Sequence, residues 1–600
     1  MNVGIKRIAE LRAAMTTNGV SAFIIPSADP HASEYVADYW KCREWISGFD
    51  GSAGTIVVTS DEVLLWTDSR YFLQADEQLK GTSIRLMKHG QMDTPSISTW
   101  ISTHLLAGQR VGVNALQFSM EGFDELNSKL NSKSIQLVDI DLVAELWINR
   151  PMLPLDLIFI LDEKYAGKSV IEKILTVRTE MKSMSADVLI LSALDDIAWL
   201  LNVRGADVAY NPVFMSYLLI TMDAVILFVD ERKLNEEVKQ YFGQNGIVVK
   251  NYDAVSKEIS MFKAGSNIML DPSKLNQRLF QQIPASCTVV KAVSPVTKLK
   301  SIKNETEAAG FRNAMLRDGV ALTKFFKWLD ENVQNGQLTE LSVAQTLRNY
   351  RAEQALFMGE SFGTIAAYGP HGAIGHYSAK PQTNSVLRDG NIFLLDSGGQ
   401  YLDGTTDITR TIVIGQPTPQ QKKDFTLVLK GHIALDAIHF PYGTKGHQLD
   451  VLARQALWNA GINYGHGTAH GVGHFLCVHE GPQGIRADEN PTVLEVGMVL
   501  SNEPGVYREG EYGIRIENLV LVVPSMKSEF GEFLRFETLT LFPMDKCLID
   551  WELMTADEVK WLQNYHQVVY EKLSPLLSDD EKHWLTSKCD LQQSTKPTSL

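Results

Sequence analysis

LLDSGGQYLDGTTDITRT, residues Leu394–Thr411, decides how this chain is read. NIFLL, running up to Asp396, is a short apolar run of the buried-strand type. Gly398, Gly399 and the Asp403-Gly404 pair supply turning chemistry, and DITRTIVIG is a second strand beginning at Asp407. Both aspartates can therefore face one site from a single strand–turn–strand unit. They either cap turns, which aspartate does readily by bonding its own backbone, or they hold something between them. The pair alone leaves both readings open.

GMVLSNEPGVYREGEYGIRIENLVLVV, Gly497–Val523, repeats the design, with Glu503 at the end of one apolar run and Glu517 inside the next. A period of two places Arg515 and Glu517 on one face. A glutamate inside such a run is costly if buried and unpaired, so it needs a cation: Arg515 as an ion pair, or a metal. Between the two units, YGHGTAHGVGHFLCVHEGP carries His466, His470, His474 and His479 among glycines. His466 and His470 have the i, i+4 spacing of a zinc-binding helix, but the HExxH glutamate is missing and the glycines disfavour helix. One histidine with four carboxylates is an oxygen-rich set suited to hard divalent ions such as Mn²⁺, Mg²⁺ or Co²⁺. Four negative charges balance two such ions, and a pair of ions can activate water at neutral pH and polarise a carbonyl.

The remainder of the chain sets the frame. At 600 residues and 44% apolar composition it is long enough for several domains, each with its own core. Acidic residues outnumber basic ones 71 to 56, a net charge of −15, which repels nucleic acid and anionic membrane, so neither is expected as a partner. Five scattered cysteines without a CxxC indicate neither a disulfide framework nor a thiolate zinc site. The N-terminal stretch lacks the apolar core of a signal peptide, and no segment is apolar for long enough to span a bilayer, so a cytoplasmic location is expected.

NRPMLP at Asn149–Pro154 and the stretch Lys298–Asn304 are candidate seams. They divide the chain into 1–150, 151–301 and 302–600. After the second seam, Asn304 and Glu307 have capping-box spacing ahead of a long helical pattern. Ahead of it, VSAFIIP and GSAGTIVVTSDEVLLWTD are echoed by ADVLILS and FMSYLLITMDAVILFVD. These are two copies of one α/β module, or two α/β domains of ordinary strand composition. Near the C-terminus, Thr555 and Glu558 cap a helix whose Trp561, Tyr565 and Val569 form a packing stripe, and QQSTKPTSL reads as a frayed end.

The order Asp396, Asp407, His470, Glu503, Glu517, set in LLDSGGQYLDGTTDITRT, HGTAHGVG, NEPG and GIRIENLVLVV, resembles the metal-binding signature of the pita-bread metallopeptidases, peptidase family M24. GAIGHYSA around His376, VLKGHIAL, GTKGHQLD, VHEGP, GFDGSAGT and RGADVAYNPVFMSY narrow the resemblance to the long, three-domain Xaa-Pro aminopeptidases, also called aminopeptidase P. The resemblance implies two creatinase-N-like α/β domains followed by a pita-bread α+β catalytic domain with a C-terminal helical extension. It implies two Mn²⁺ ions per chain, with Co²⁺ or Zn²⁺ as substitutes in vitro: Asp396, Asp407 and Glu517 at one, and Asp407, His470, Glu503 and Glu517 at the other. It makes His376, His466 and His479 catalytic and substrate-binding residues and gives Glu503 a proton-shuttling role; Arg515, the one arginine the sequence places beside the metals, is expected to pair with Glu517 or a neighbouring acid and is taken as substrate-binding. A peptide with N-terminal Xaa-Pro is the expected partner, and a homodimer the expected assembly. Two departures from the family pattern are His474, where a small residue is usual, and Ala469, where glycine is common; His474 is read as non-catalytic. Prolidase would carry one N-terminal domain and methionine aminopeptidase none, while non-catalytic pita-bread binding modules have lost the ligands kept here.

Overall fold

The computed structural model describes residues 3–591, so QQSTKPTSL (592–600) lies outside the described residues. Two compact units form: one up to Asp162 together with Lys168–Lys298, the other Glu163–Gly167 together with Leu299 onward.

The first unit holds two six-stranded sheets. In one, β1 (Ala22–Pro26), β2 (Thr55–Thr59), β3 (Val63–Thr67), β4 (Arg85–Lys88), β5 (Arg110–Val113) and β6 (Gln136–Asp139) lie in the order β4-β3-β2-β1-β5-β6. In the other, β7 (Val188–Leu191), β8 (Ser216–Thr221), β9 (Val225–Val229), β10 (Ile247–Lys250), β11 (Asn267–Leu270) and β12 (Thr288–Lys291) lie in the order β10-β9-β8-β7-β11-β12. The two orders are the same when strands are counted within each sheet. Pairing directions also match, antiparallel among the first three strands and parallel elsewhere. Even the hairpin turns agree: the Thr59 hydroxyl accepts from the Glu62 N–H at 3.0 Å, and that of Thr221 from the Ala224 N–H at 2.9 Å. Topology thus favours the duplicated module over two unrelated domains. Strand side chains alternate between faces, Phe23, Ile25, Ile56 and Val58 packing in one cluster and Ala22, Ile24, Val57 and Leu64 in another. With both faces covered, the strands read as continuous apolar runs.

In the second unit, α1 (Glu305–Asn332) starts at the expected capping box: the Asn304 side chain accepts from the Glu307 N–H, and the Glu307 carboxylate from the Asn304 N–H, each at 3.0 Å. After α2 (Glu340–Ala352), strands β13 (Ile365–Tyr368), β14 (Asn391–Ser397) and β15 (Ile408–Ile414) form an antiparallel sheet in that order. Helices α3 (Pro419–Asp436) and α4 (Asp450–Asn459) follow β15. A six-stranded sheet is built from β16 (His439–Pro441), β17 (Ala469–Gly471), β18 (Glu480–Ile485), β19 (Val499–Asn502), β22 (Asn518–Ser528) and β23 (Gly531–Thr538), in the order β16-β23-β22-β19-β17-β18. Between β19 and β22, β20 (Gly505–Arg508) and β21 (Tyr512–Arg515) make a separate hairpin. The C-terminal helix α5 (Ala556–Leu573) is capped by Thr555 and Glu558 and buries Leu562, Tyr565 and Val569, so its aromatic stripe is packing. Among the described residues no helix is long and apolar enough to cross a membrane.

Candidate metal centre

The strand ends of the two sheets bring the acids together. Register pairs Asp396 with Thr409 and Ser397 with Ile408, so Asp396 near the end of β14 lies beside Asp407, the residue ahead of β15. In the other sheet Asn502 pairs with Asn518, and Glu503 and Glu517 are the residues just past that last pair. The Glu517 N–H donates to the Thr409 carbonyl at 3.1 Å, joining the two ladders. His470 sits on the short strand β17, not a helix, with its N–H bonded to Ser501 Oγ at 3.0 Å.

Asp407, His470 and Glu517 offer ligand atoms that all lie within 4.8 Å of one another. His470 Nε2 stands 3.5 Å from Asp407 Oδ2 and 3.4 Å from Glu503 Oε1. Its Nδ1 lies 2.9 Å from the Gly471 carbonyl, which can only accept, so Nδ1 is the donor there and Nε2 is the nitrogen turned toward the acids. Burial pushes the Asp407 carboxyl well above the usual range, and Glu517, Asp396 and Glu503 push it further. Glu517 is raised likewise by burial and then by Glu503 and Asp396, with Arg515 opposing the shift at both. Four carboxylates thus surround one guanidinium, and Asp396 Oδ1 is buried without a hydrogen bond. This donor set fits hard divalent ions.

Arg515 does not pair with Glu517. Strand β21 ends at Arg515, and Glu517 lies in the connection to β22 rather than inside a strand, because its backbone turns to the Thr409 carbonyl. The shared face expected from period two is lost at that point. The guanidinium instead crosses to Asp396 Oδ2, and its Nε donates to Thr409 Oγ1 at 3.1 Å. Thr409 in turn donates to Glu517 Oε2 at 2.8 Å. Arg515 is only 3% exposed, and its remaining nitrogen donates to Tyr507 OH at 2.7 Å. Burial pushes the Tyr507 phenol up to about 12, so it stays protonated and donates to His466 Nε2 at 2.8 Å.

The other histidines divide. His479 meets His470 edge-on, with ring centroids 4.4 Å apart. His376 follows Gly375, whose carbonyl accepts from Arg515 at 3.4 Å. His474 is buried and lies edge-on to Phe311 of α1, 5.8 Å between centroids. Sequence reasoning missed Tyr507, Thr409 and Arg454, which donates to the carbonyls of Tyr464 and His466 at 2.8 Å and so holds the histidine loop. Thr409 had a usable signal: it lies two residues past Asp407, near the start of the strand that Asp407 precedes. Tyr507 had none.

Comparison with known proteins bears on this geometry. Residues 7–146 and 149–307 match creatinase/prolidase N-terminal domain models, 309–524 match metallopeptidase family M24, and 532–591 match the C-terminal region of that family. A probable Xaa-Pro aminopeptidase P of Laccaria bicolor is 42% identical, covering 97% of this chain and 93% of its own. Xaa-Pro aminopeptidase ApepP of Drosophila melanogaster is 44% identical, covering 93% of each chain. The crystal structure of an X-prolyl aminopeptidase from Caenorhabditis elegans, described as a cytosolic enzyme with a di-nuclear active site, superposes with a TM-score of 0.94 at 36% identity, covering 98% of this chain and all of the other.

Proposed function

This chain belongs to the Xaa-Pro aminopeptidases of metallopeptidase family M24, and on that premise we propose how its own residues carry the reaction. It is a metalloaminopeptidase that removes the N-terminal residue from peptides with proline in second position, using two divalent ions. The observation that carries the reading of the site is the cluster of Asp407, His470 and Glu517 at the strand ends, with Glu503 beside His470 Nε2 and Asp396 close enough to act on both buried acids. Asp396, Asp407 and Glu517 would hold one ion, and Asp407, His470, Glu503 and Glu517 the other. When bound, such a pair supplies a water-derived nucleophile at neutral pH and polarises the scissile carbonyl. Mn²⁺ is our choice of metal, on the oxygen-rich donor set. We also propose a homodimer, a cytoplasmic enzyme, and domain limits of 1–150, 151–301 and 302–600, for which the family segments give support.

The protein groups divide the remaining work. The free amine of the peptide is drawn to the acidic centre. His376 and His479 hold the peptide at the scissile bond and donate to the oxygen on which charge develops. Glu503, partly exposed and next to His470, takes a proton and passes it to the departing proline nitrogen. His466 lines the pocket, its ring fixed by Tyr507. Arg515, with its nitrogens already engaged, serves the substrate indirectly by orienting Asp396 and Tyr507. Proline lacks an N–H and presents a ring, so specificity lies in a fitted pocket.

Initial rates on four substrates test this reading: an Xaa-Pro-Yaa tripeptide, its Xaa-Ala-Yaa analogue, its N-acetylated form and an Xaa-Pro dipeptide, at matched Mn²⁺. The tripeptide is expected to be cut fastest, with alanine costing about 10–200-fold, the scale of an underfilled apolar pocket. Faster dipeptide cleavage would indicate prolidase, and indifference to acetylation would remove the aminopeptidase reading.

A further inference from the structure

The segment that carries His376 is gathered onto one buried carboxylate. Glu340, the first residue of α2, is fully buried at 0% exposure. Its Oε1 accepts from the Tyr368 N–H at 2.9 Å and from His371 Nδ1 at 2.7 Å. Its Oε2 accepts from Tyr377 OH at 2.9 Å and from the Ser385 N–H at 2.8 Å. The division is ordered along the chain: one oxygen takes two donors that precede His376, the other takes two that follow it, and Tyr377 is its immediate neighbour. The His371 ring also stacks on Tyr377, centroids 4.3 Å apart, which ties the two limbs to each other.

The opposite side of the segment rests on backbone. A Cβ on Gly513 of β21 would stand 1.7 Å from the Gly372 carbonyl oxygen, and one on Gly372 2.8 Å from the Gly513 nitrogen. Only glycine at both positions lets the turn Gly369–Ala373 lie directly on β21, where Arg515 reaches the Gly375 carbonyl. The loop is thus fixed against the metal centre on one side and against Glu340 on the other. A buried carboxylate stabilises a fold no better than an apolar residue of similar size, but its two oxygens can hold four donors in fixed directions. That directional hold is what a substrate-contacting histidine on a loop requires.

We propose that Glu340 is a positioning residue for Xaa-Pro cleavage, clamping the two limbs of the loop so that His376 meets the peptide; this rests on the assignment of His376 to the substrate. Glu340→Gln keeps the shape but turns an NH₂ toward one pair of donors. The test is a cycle of Glu340→Gln, His376→Ala and the double variant, reading kcat/KM on an Xaa-Pro-Yaa peptide, bound metal and Tm. Acting through His376, Glu340→Gln should lower kcat/KM about tenfold in the native background and less than about twofold once His376 is alanine, as coupled neighbours do. Bound metal should be unchanged in all variants. An equal loss in both backgrounds, or no loss, overturns the proposal while leaving the role of His376 standing; full activity in His376→Ala overturns that role and the proposal with it. Should Glu340→Gln not fold, Tyr377→Phe removes one donor from the same clamp and is expected to show the same dependence on His376.

Discussion

Acid is buried in both units of this molecule, with different outcomes. In the first unit Asp207 accepts from Lys233, and both side chains are almost fully enclosed. The lysine also donates to the Pro154 carbonyl at 2.7 Å, and Asp207 accepts from the Met215 N–H at 2.6 Å. In the second unit Asp396, Asp407, Glu503 and Glu517 face one another with Arg515 as the guanidinium among them. Each place leaves a carboxylate oxygen buried without a hydrogen bond, Oδ1 of Asp207 and Oδ1 of Asp396. An orphaned oxygen therefore does not distinguish a ligand site from a structural pair. The charge count does: one acid against one amine is complete, whereas four acids against two guanidiniums, Arg515 and, beside Glu517, Arg410, still call for further cations.

Substitutions can break this contrast. Asp407→Asn removes the carboxylate assigned to both ions and should cost about 10³-fold in kcat, the upper end for losing one electrostatic group at a reacting centre, with metal lost as well. Elemental analysis and initial rates check it; an active variant with its metal intact would break the contrast outright. His479→Ala should cost about 10²-fold through a lost contact to the developing charge while keeping its metal, whereas His470→Ala should lose metal too. Equal metal loss in both variants, with circular dichroism unchanged, would contradict the division of the histidine loop. Lys233→Ala should leave metal content and kcat unchanged, because it breaks the balanced pair and not the deficient one. It should lower stability by about 3–5 kcal/mol, since an uncompensated buried aspartate remains, and urea unfolding measures this.

What the sequence could reveal follows from the reach of each interaction. Apolar runs such as Ile56–Val58 and Leu64–Trp66 and the capping boxes at Asn304 and Thr555 are set within a few residues, and they stand where expected. The strand-end placement of Asp396, Asp407 and Glu503 was legible for the same reason. Glu517 was misplaced by local pattern: its flanking residues look like one continuous strand, but the backbone leaves the hairpin for Thr409, 108 residues away. The partners of Arg515 and Glu340 were not readable either. Arg515 bridges to Asp396 across 119 residues, and Glu340 gathers donors 28 to 45 residues along the chain. Such pairings arise only when elements far apart in the chain are brought together by the fold, and no periodicity encodes them.

Metal stoichiometry tests the central claim most directly. Chelator-stripped protein reloaded with Mn²⁺ and freed of excess ion should hold two ions per chain by elemental analysis, and should then cleave an Xaa-Pro-Yaa peptide that the stripped protein leaves intact. A fully active enzyme holding one ion per chain, or none, would contradict the reading of this acid-rich centre as a two-ion site.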